Sequence, residues 1–291
     1  MTALTACSSV DDGGTGDGGG GTLGELQGAG SINVAFNGEQ PYSFEDDAGE
    51  LTGATVELDR EIFGNLGIDT VEGTFTEWNS LIPGLNADRY DAVSAGMSIL
   101  PERCAEAAFA EPTIMYTTAF LVPEGNPDKL TDWQSVEGTD LTVAVTSGAI
   151  EDGYAKKTGV ETITVGSSQD GLDAVVTGRA DAFALTGISI RTLAENSDEP
   201  VEATEAFTAV IDGEPQIGAG AEVFRKGDTE LLDAYNEELA KINGDKDKWM
   251  EILGPFGFTE AEFPPEGLTA EMLCAEDPDL KKIADDLGME F

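Results

Sequence analysis

The stretch GMSILPERCAEAAFAEP, residues 96 to 112, decides how this chain is read. It continues YDAVSA, residues 90 to 95, and YDAVSAGM reads as a short, mostly apolar strand. The strand ends in a polar turn whose guanidinium is Arg103. A guanidinium is planar, always charged and forked, so it holds a carboxylate through two parallel hydrogen bonds where water is partly excluded. Arg103 at the end of a strand is therefore a candidate anion site. The competing reading is a surface arginine paired with Glu102 or Glu106, which in water is worth little.

Working outward, the chain alternates short apolar runs with helical patterns. SINVAF from Ser31 is a strand, and TVELDREIFGNLG places Val56, Leu58, Ile62, Phe63 and Leu66 near one helical face before Gly67. DTVEGTF is the next strand, and WNSLIPGLNADRY predicts a short helix broken by Pro83 and Gly84. After TTAFLVPEG the rhythm restarts with strands DLTVAVTSG, ETITVG and DAFALTG and helices AIEDGYAKKTG, SQDGLDAVVTGRA and ISIRTLAENS. QIGAGAEVFRKGD is strand-like again and TELLDAYNEELAKI is an amphipathic helix. Such alternation predicts α/β lobes, each a mostly parallel sheet flanked by helices. Strands Thr117 to Val122 and Gly218 to Phe224 are expected to make the two crossings. Ligands in open α/β sheets sit beyond the carboxyl ends of the strands, so the expected site is the cleft between the lobes.

The 57 acids and 15 bases give a formal charge of -42 over 291 residues, which repels nucleic acid and anionic lipid. The acids are spread among apolar periodic segments, as on a heavily solvated surface. There is no histidine, which removes histidine triads and histidine-ligated zinc, and no metal or cofactor is expected. LTAC at Leu4 to Cys7 precedes SSVDDGGTGDGGGG. That order resembles a bacterial lipobox, with Cys7 acylated and the glycine run a tether, although so short a tetrapeptide also arises by chance. Cys104 and Cys274 form an even pair, read either as a disulfide of an exported protein or as two small buried thiols.

Together YDAVSAGMSILPERCAEAAFAEP, the opening NVAFNGEQPYSF, VTSGAIEDGYA and GRADAFALTG resemble the family 3 solute-binding proteins of ABC importers, over about residues 30 to 258. LIPGL, PERC, LVPEGNP, ALTG and PFGF followed by LTAEMLC are most similar to the ectoine/hydroxyectoine-binding members. The resemblance implies a two-lobed type II periplasmic-binding-protein fold joined by two hinge strands. It implies a non-enzymatic extracytoplasmic lipoprotein, a monomer that presents a small zwitterion to an ABC permease. The expected layout is a lipobox remnant and tether at 1–29, a first lobe at 30–120 and 218–260, a second lobe at 121–217, and a C-terminal extension at 261–291 packed back on the first lobe.

The resemblance also carries residue roles. Arg103 is implied to hold the ligand carboxylate, Glu39 to face a cationic ring, and Tyr42 and Trp78 to form aromatic walls, where cation–π contacts are each worth about 0.5 to 2 kcal/mol. Ser98 departs from the aromatic residue of ectoine binders and matches polar amino-acid binders, which stand as the alternative reading. Thr186 and Gly187 stand where amino-acid binders carry an aspartate for the α-ammonium, which favours ectoine. The helix start near Ser147 and Gly148 is expected to offer backbone N–H groups to the same carboxylate.

Overall fold

The computed structural model describes residues 22–277 and 279–286. Cys7 and the glycine-rich run behind it lie outside the described residues. Two sheets organise the chain. The first has the order Thr70–Phe75, Ser31–Phe36, Ala92–Ser98, Gly218–Phe224, Ala108–Phe109, with Ile114–Tyr116 also paired to Gly218–Phe224. The second has the order Thr162–Val165, Val143–Thr146, Ala182–Thr186, Thr118–Pro123, Val201–Ala203.

The fold is the expected two-lobed α/β type, but the sheets are mixed rather than mostly parallel. Ser31–Phe36 is parallel to both Thr70–Phe75 and Ala92–Ser98, and Val143–Thr146 is parallel to both Thr162–Val165 and Ala182–Thr186. Gly218–Phe224 and Thr118–Pro123 are antiparallel to their neighbours. The parallel strands point their carboxyl ends at the seam between the sheets, so a strand entering from the seam must run the other way.

The crossings are correspondingly short. Tyr116 pairs with Gly218 in the first sheet while Thr118 pairs with Thr186 in the second, so the outward crossing is Thr117. The return lies at Gln216 and Ile217, between the hairpin Val210–Ile211/Glu214–Pro215 and strand Gly218–Phe224. Neither Thr117–Val122 nor Gly218–Phe224 spans both sheets; each strand belongs to one sheet and the link before it crosses.

Local packing follows the apolar periodicity. Helix Ala54–Asn65 buries Val56, Leu58, Ile62 and Phe63, and with them Asp59. Helix Leu81–Asn86 runs through Pro83 and Gly84 unbroken. Pro83 sits in the first turn, where its missing N–H has no intrahelical partner to lose. Thr22–Ala29 is helical and buries Leu26, so the stretch read as a tether becomes ordered structure before residue 29. One apolar cluster fills the first lobe, while the second lobe has a cluster on each face of its sheet. Leu268, Ala270 and Leu273 of the C-terminal segment are buried in the first-lobe cluster. Cys104 and Cys274 are bridged, with Cα atoms 5.7 Å apart and a sequence separation of 170. On chain-entropy grounds a loop of that order is worth about 4 to 5 kcal/mol. Among the described residues no helix is long and apolar enough to cross a membrane.

Candidate ligand site between the two sheets

The carboxyl ends of both parallel strand sets meet around one small cavity of about 20 Å³. Glu39, Tyr42, Trp78 and Ser98 line it from the first lobe, Thr146, Ile150, Glu151 and Thr186 from the second. The volume is about that of one water molecule. A larger guest therefore requires the lobes to part.

The loop after Ser31–Phe36 places two of these walls. Tyr42 and Ser43 N–H groups both donate to the Glu39 carbonyl, a tight turn that sends Glu39 and Tyr42 to the same seam. The Tyr42 ring packs edge-on against Tyr116 and Phe258, with centroids 5.9 and 5.8 Å away, and its hydroxyl donates to Thr186 Oγ1 at 3.0 Å. It is thus core and cavity wall at once. Ser189 Oγ, on helix Gly187–Glu195 of the second lobe, donates to Glu39 Oε1 at 2.7 Å. Burial pushes the Glu39 carboxyl above the usual carboxylate range, against the pull of the Ser189 and Asn37 hydrogen bonds.

Glu151 is the site residue that sequence reasoning missed. It occupies the first turn of helix Ile150–Thr158, is fully buried, and lines the cavity opposite Glu39. Among the described residues neither of its carboxylate oxygens has a hydrogen-bond partner on another residue. Burial pushes it up to about 8, against the pull of its own backbone N–H and of Arg103, with the Glu39 charge adding to the shift. A glutamate in a helical first turn ordinarily serves the helix dipole at the surface. The available signal was spacing: Glu151 lies three and four residues before buried Tyr154 and Ala155, on the inward face.

Arg103 lies at the edge of the cavity rather than in its wall. It lies in the one-turn helix Pro101–Cys104, with Nη1 donating to the Ser98 carbonyl at 2.9 Å and Nη2 to the Gly148 carbonyl across the seam at 2.8 Å. Its Cζ is 5.2 Å from the centre of the Trp78 ring, and Trp78 Nε1 also donates to the Gly148 carbonyl, at 3.3 Å. Burial lowers the guanidinium's pKa from its ordinary value, while the negative charges of Glu102 and Glu151 raise it.

The second-lobe turn differs from its expected role. The N–H groups of Ser147, Gly148 and Ala149 are bonded to Val165 O, Asp152 Oδ2 and Thr146 O, so the turn presents the Gly148 carbonyl, an acceptor, to Arg103 and Trp78. Ser147 Oγ instead accepts from Asn79 Nδ2 at 3.2 Å. Gly148 has φ +77, and a Cβ there would come 2.4 Å from Asn79 Oδ1. Gly187 is not brought into the cavity. Its N–H donates to Thr117 O, and a Cβ would come 2.6 Å from Thr117 Oγ1, so this position supports the crossing.

The chain matches the bacterial extracellular solute-binding proteins of family 3 over residues 32–253. It is 34% identical over 254 residues to a probable amino-acid ABC transporter periplasmic-binding protein of Sinorhizobium fredii, covering 86% of this chain and 82% of that one. Among solved structures it is similar to EhuB in complex with hydroxyectoine, with TM-score 0.77, 32% identity and coverage of 87% of this chain and 97% of EhuB. It is also similar to an ancestral amino acid-binding protein that is a precursor of cyclohexadienyl dehydratase, with TM-score 0.71, 26% identity, 81% of this chain and 99% of the other.

Proposed function

The chain belongs to the bacterial extracellular solute-binding proteins of family 3, non-enzymatic binding components of ABC importers that deliver a small solute to a membrane permease, and from that premise we propose that its solute is a compact zwitterion, ectoine or hydroxyectoine. One observation carries the reading: a guanidinium stands at one side of an interlobe cavity, and two buried carboxyl groups line it from opposite lobes. A ligand carboxylate takes the Arg103 fork, displacing the Ser98 and Gly148 carbonyls. A cationic ring spreads its charge between Glu39 and Glu151, with Tyr42 and Trp78 as flat faces. Glu151, with no donor of its own, ionises when it meets that cation. Cys7 acts as the lipid anchor of a monomer.

The second reading, a polar amino-acid binder, rests on Ser98 and on Glu151 itself. The missing acid at Thr186 and Gly187 argued against an α-ammonium, and Glu151 supplies a second-lobe carboxylate by another route. Calorimetry with ectoine, hydroxyectoine and the proteinogenic amino acids separates the readings. Arg103→Ala should weaken the bound solute by about 2 to 5 kcal/mol, with the fold intact. Micromolar binding of an amino acid with no ectoine binding would transfer the assignment to the second reading. Unchanged affinity in folded Arg103→Ala protein would remove the carboxylate role from both.

A further inference from the structure

The turn that carries Arg103 is short and has a pocket on each flank. Helix Pro101–Cys104 is a single turn, and its N-cap, Leu100, makes no side-chain capping bond. On one flank a pocket of about 480 Å³ runs along Glu102, Arg103 and Glu106 toward Trp78 and Asn79. On the other a second pocket of about 480 Å³ separates Leu100 and Pro101 from the return crossing at Gln216 and Ile217. A helix turn open on both flanks has few neighbours to keep its backbone in place once the solute takes the guanidinium's present partners. Yet the Arg103 fork must be fixed in direction to make two parallel hydrogen bonds.

The Ser98 and Gly148 carbonyls and the Trp78 ring hold the guanidinium itself, and the turn beneath it is held by the next residue. Cys104 is bonded to Cys274 on helix Ala270–Ala275. That helix is itself anchored. Ala270 and Leu273 are buried in the first-lobe core, the Ala270 N–H donates to Glu111 Oε2 at 3.0 Å, and Thr269 caps the first turn.

We infer that the Cys104–Cys274 bridge is a positioning device for the anion-binding arginine, so that the C-terminal segment sets solute affinity as well as stability. The inference rests on the reading that Arg103 takes the solute's carboxylate. Breaking the bridge leaves the lobe folded on its apolar cluster but frees the turn between its two pockets, and the guanidinium loses its fixed aim.

The test compares the native protein with Cys104→Ser/Cys274→Ser, each with Arg103 and with Arg103→Ala. Binding is followed by calorimetry with ectoine, hydroxyectoine and the proteinogenic amino acids. With Arg103 present, loss of the bridge should weaken the bound solute roughly tenfold, the size expected for directly coupled residues; with Arg103→Ala it should change nothing. Amide hydrogen exchange in the ligand-free protein should rise across residues 100–107 and stay unchanged across strand Ala92–Ser98. If the serine pair does not fold, native protein reduced by a phosphine and alkylated takes its place. Equal losses with and without Arg103 overturn the inference, because they assign the bridge to general stability. Unaltered exchange at 100–107 also overturns it. Full affinity in Arg103→Ala protein sinks the underlying carboxylate reading instead, and is distinguishable because it appears with the bridge intact.

Discussion

Among the described residues, the buried acids Asp59 and Glu222 of the first-lobe core and Glu39 and Glu151 of the seam are held differently. In the first-lobe core, Asp59 of helix Ala54–Asn65 stands beside Glu222 of strand Gly218–Phe224, and Tyr235 donates its hydroxyl to Asp59 Oδ1 at 2.8 Å. Burial pushes Asp59 up to about 7 and Glu222 well above its usual range, with the Asp59 charge adding to the latter. The core pair thus keeps a proton between its members at neutral pH. At the seam, Glu39 and Glu151 come from opposite lobes, and only Glu39 has a side-chain donor, Ser189. In the core pair Asp59 Oδ1 takes the Tyr235 hydroxyl, while Asp59 Oδ2 and Glu222 Oε1 have no hydrogen-bond partner among the described residues. The seam pair faces a cavity that changes when the lobes part, so its remaining partner can be a solute cation. On the proposed reading, the acids of the core belong to the fold and those of the interlobe cavity to binding.

The largest effect should come from breaking the core pair. Asp59→Ala leaves Tyr235 and Glu222 without their partner, at about 1 to 3 kcal/mol for each group left unpartnered. Urea unfolding should show a clear drop in midpoint, while calorimetry finds the solute bound as before. A fall in affinity with stability unchanged would reverse the roles assigned to the two pairs.

Next in size is the seam. Glu151→Gln keeps the shape and removes the charge that answers the solute's cation, so affinity should fall by roughly 1.5 to 3 kcal/mol, the worth of a charged hydrogen bond. Ligand-free stability should hold or rise slightly, since no existing hydrogen bond is lost. Tight binding by Glu151→Gln protein would mean that Glu39 alone receives the cation.

Much of the fold was legible because its cues are local. SINVAF, TITV and the helix of Val56, Ile62 and Phe63 show periods of two and 3.6 that tertiary contacts reinforce. Strand direction was not legible, because it depends on which end of a lobe the chain enters after a crossing. In the candidate site, Glu39, Tyr42 and Trp78 in the cavity wall and Arg103 at its edge stood out through the motifs around them. Glu151, Asp59 and Glu222 did not, since an acid inside an apolar period looks like a surface interruption of it. Asp59 nevertheless sits three and four residues before buried Ile62 and Phe63, on the core face. In so acidic a chain such spacing is the cue that separates a buried carboxyl from a solvated one.

The smallest effect is a pH response that tells the pairs apart without any ligand. Glu151 titrates near 8 in the closed form against an ordinary 4.5, so closure binds a proton that the open, solvated carboxyl has released between those values. Closure of the ligand-free protein should therefore weaken as pH rises from 4.5 to 8 and level off above that, because the closed state holds more protons only inside this window. The groups facing Glu151 leave the sign unchanged: Glu39 raises its pKa and Arg103 lowers it by less than burial raises it. Asp59, raised from 3.8 to about 7, weakens folding over its own window in the same direction, but opening the seam gives it no access to water. Small-angle scattering of the ligand-free protein should show a modest expansion between pH 5 and about 8. Glu151→Gln should reduce it, Glu39→Gln/Glu151→Gln should abolish it because burial raises Glu39 in the same direction, and Asp59→Asn should leave it in place while flattening the pH dependence of the urea midpoint. An expansion that survives the double substitution would separate the seam acids from lobe opening and leave them a role in solute binding alone.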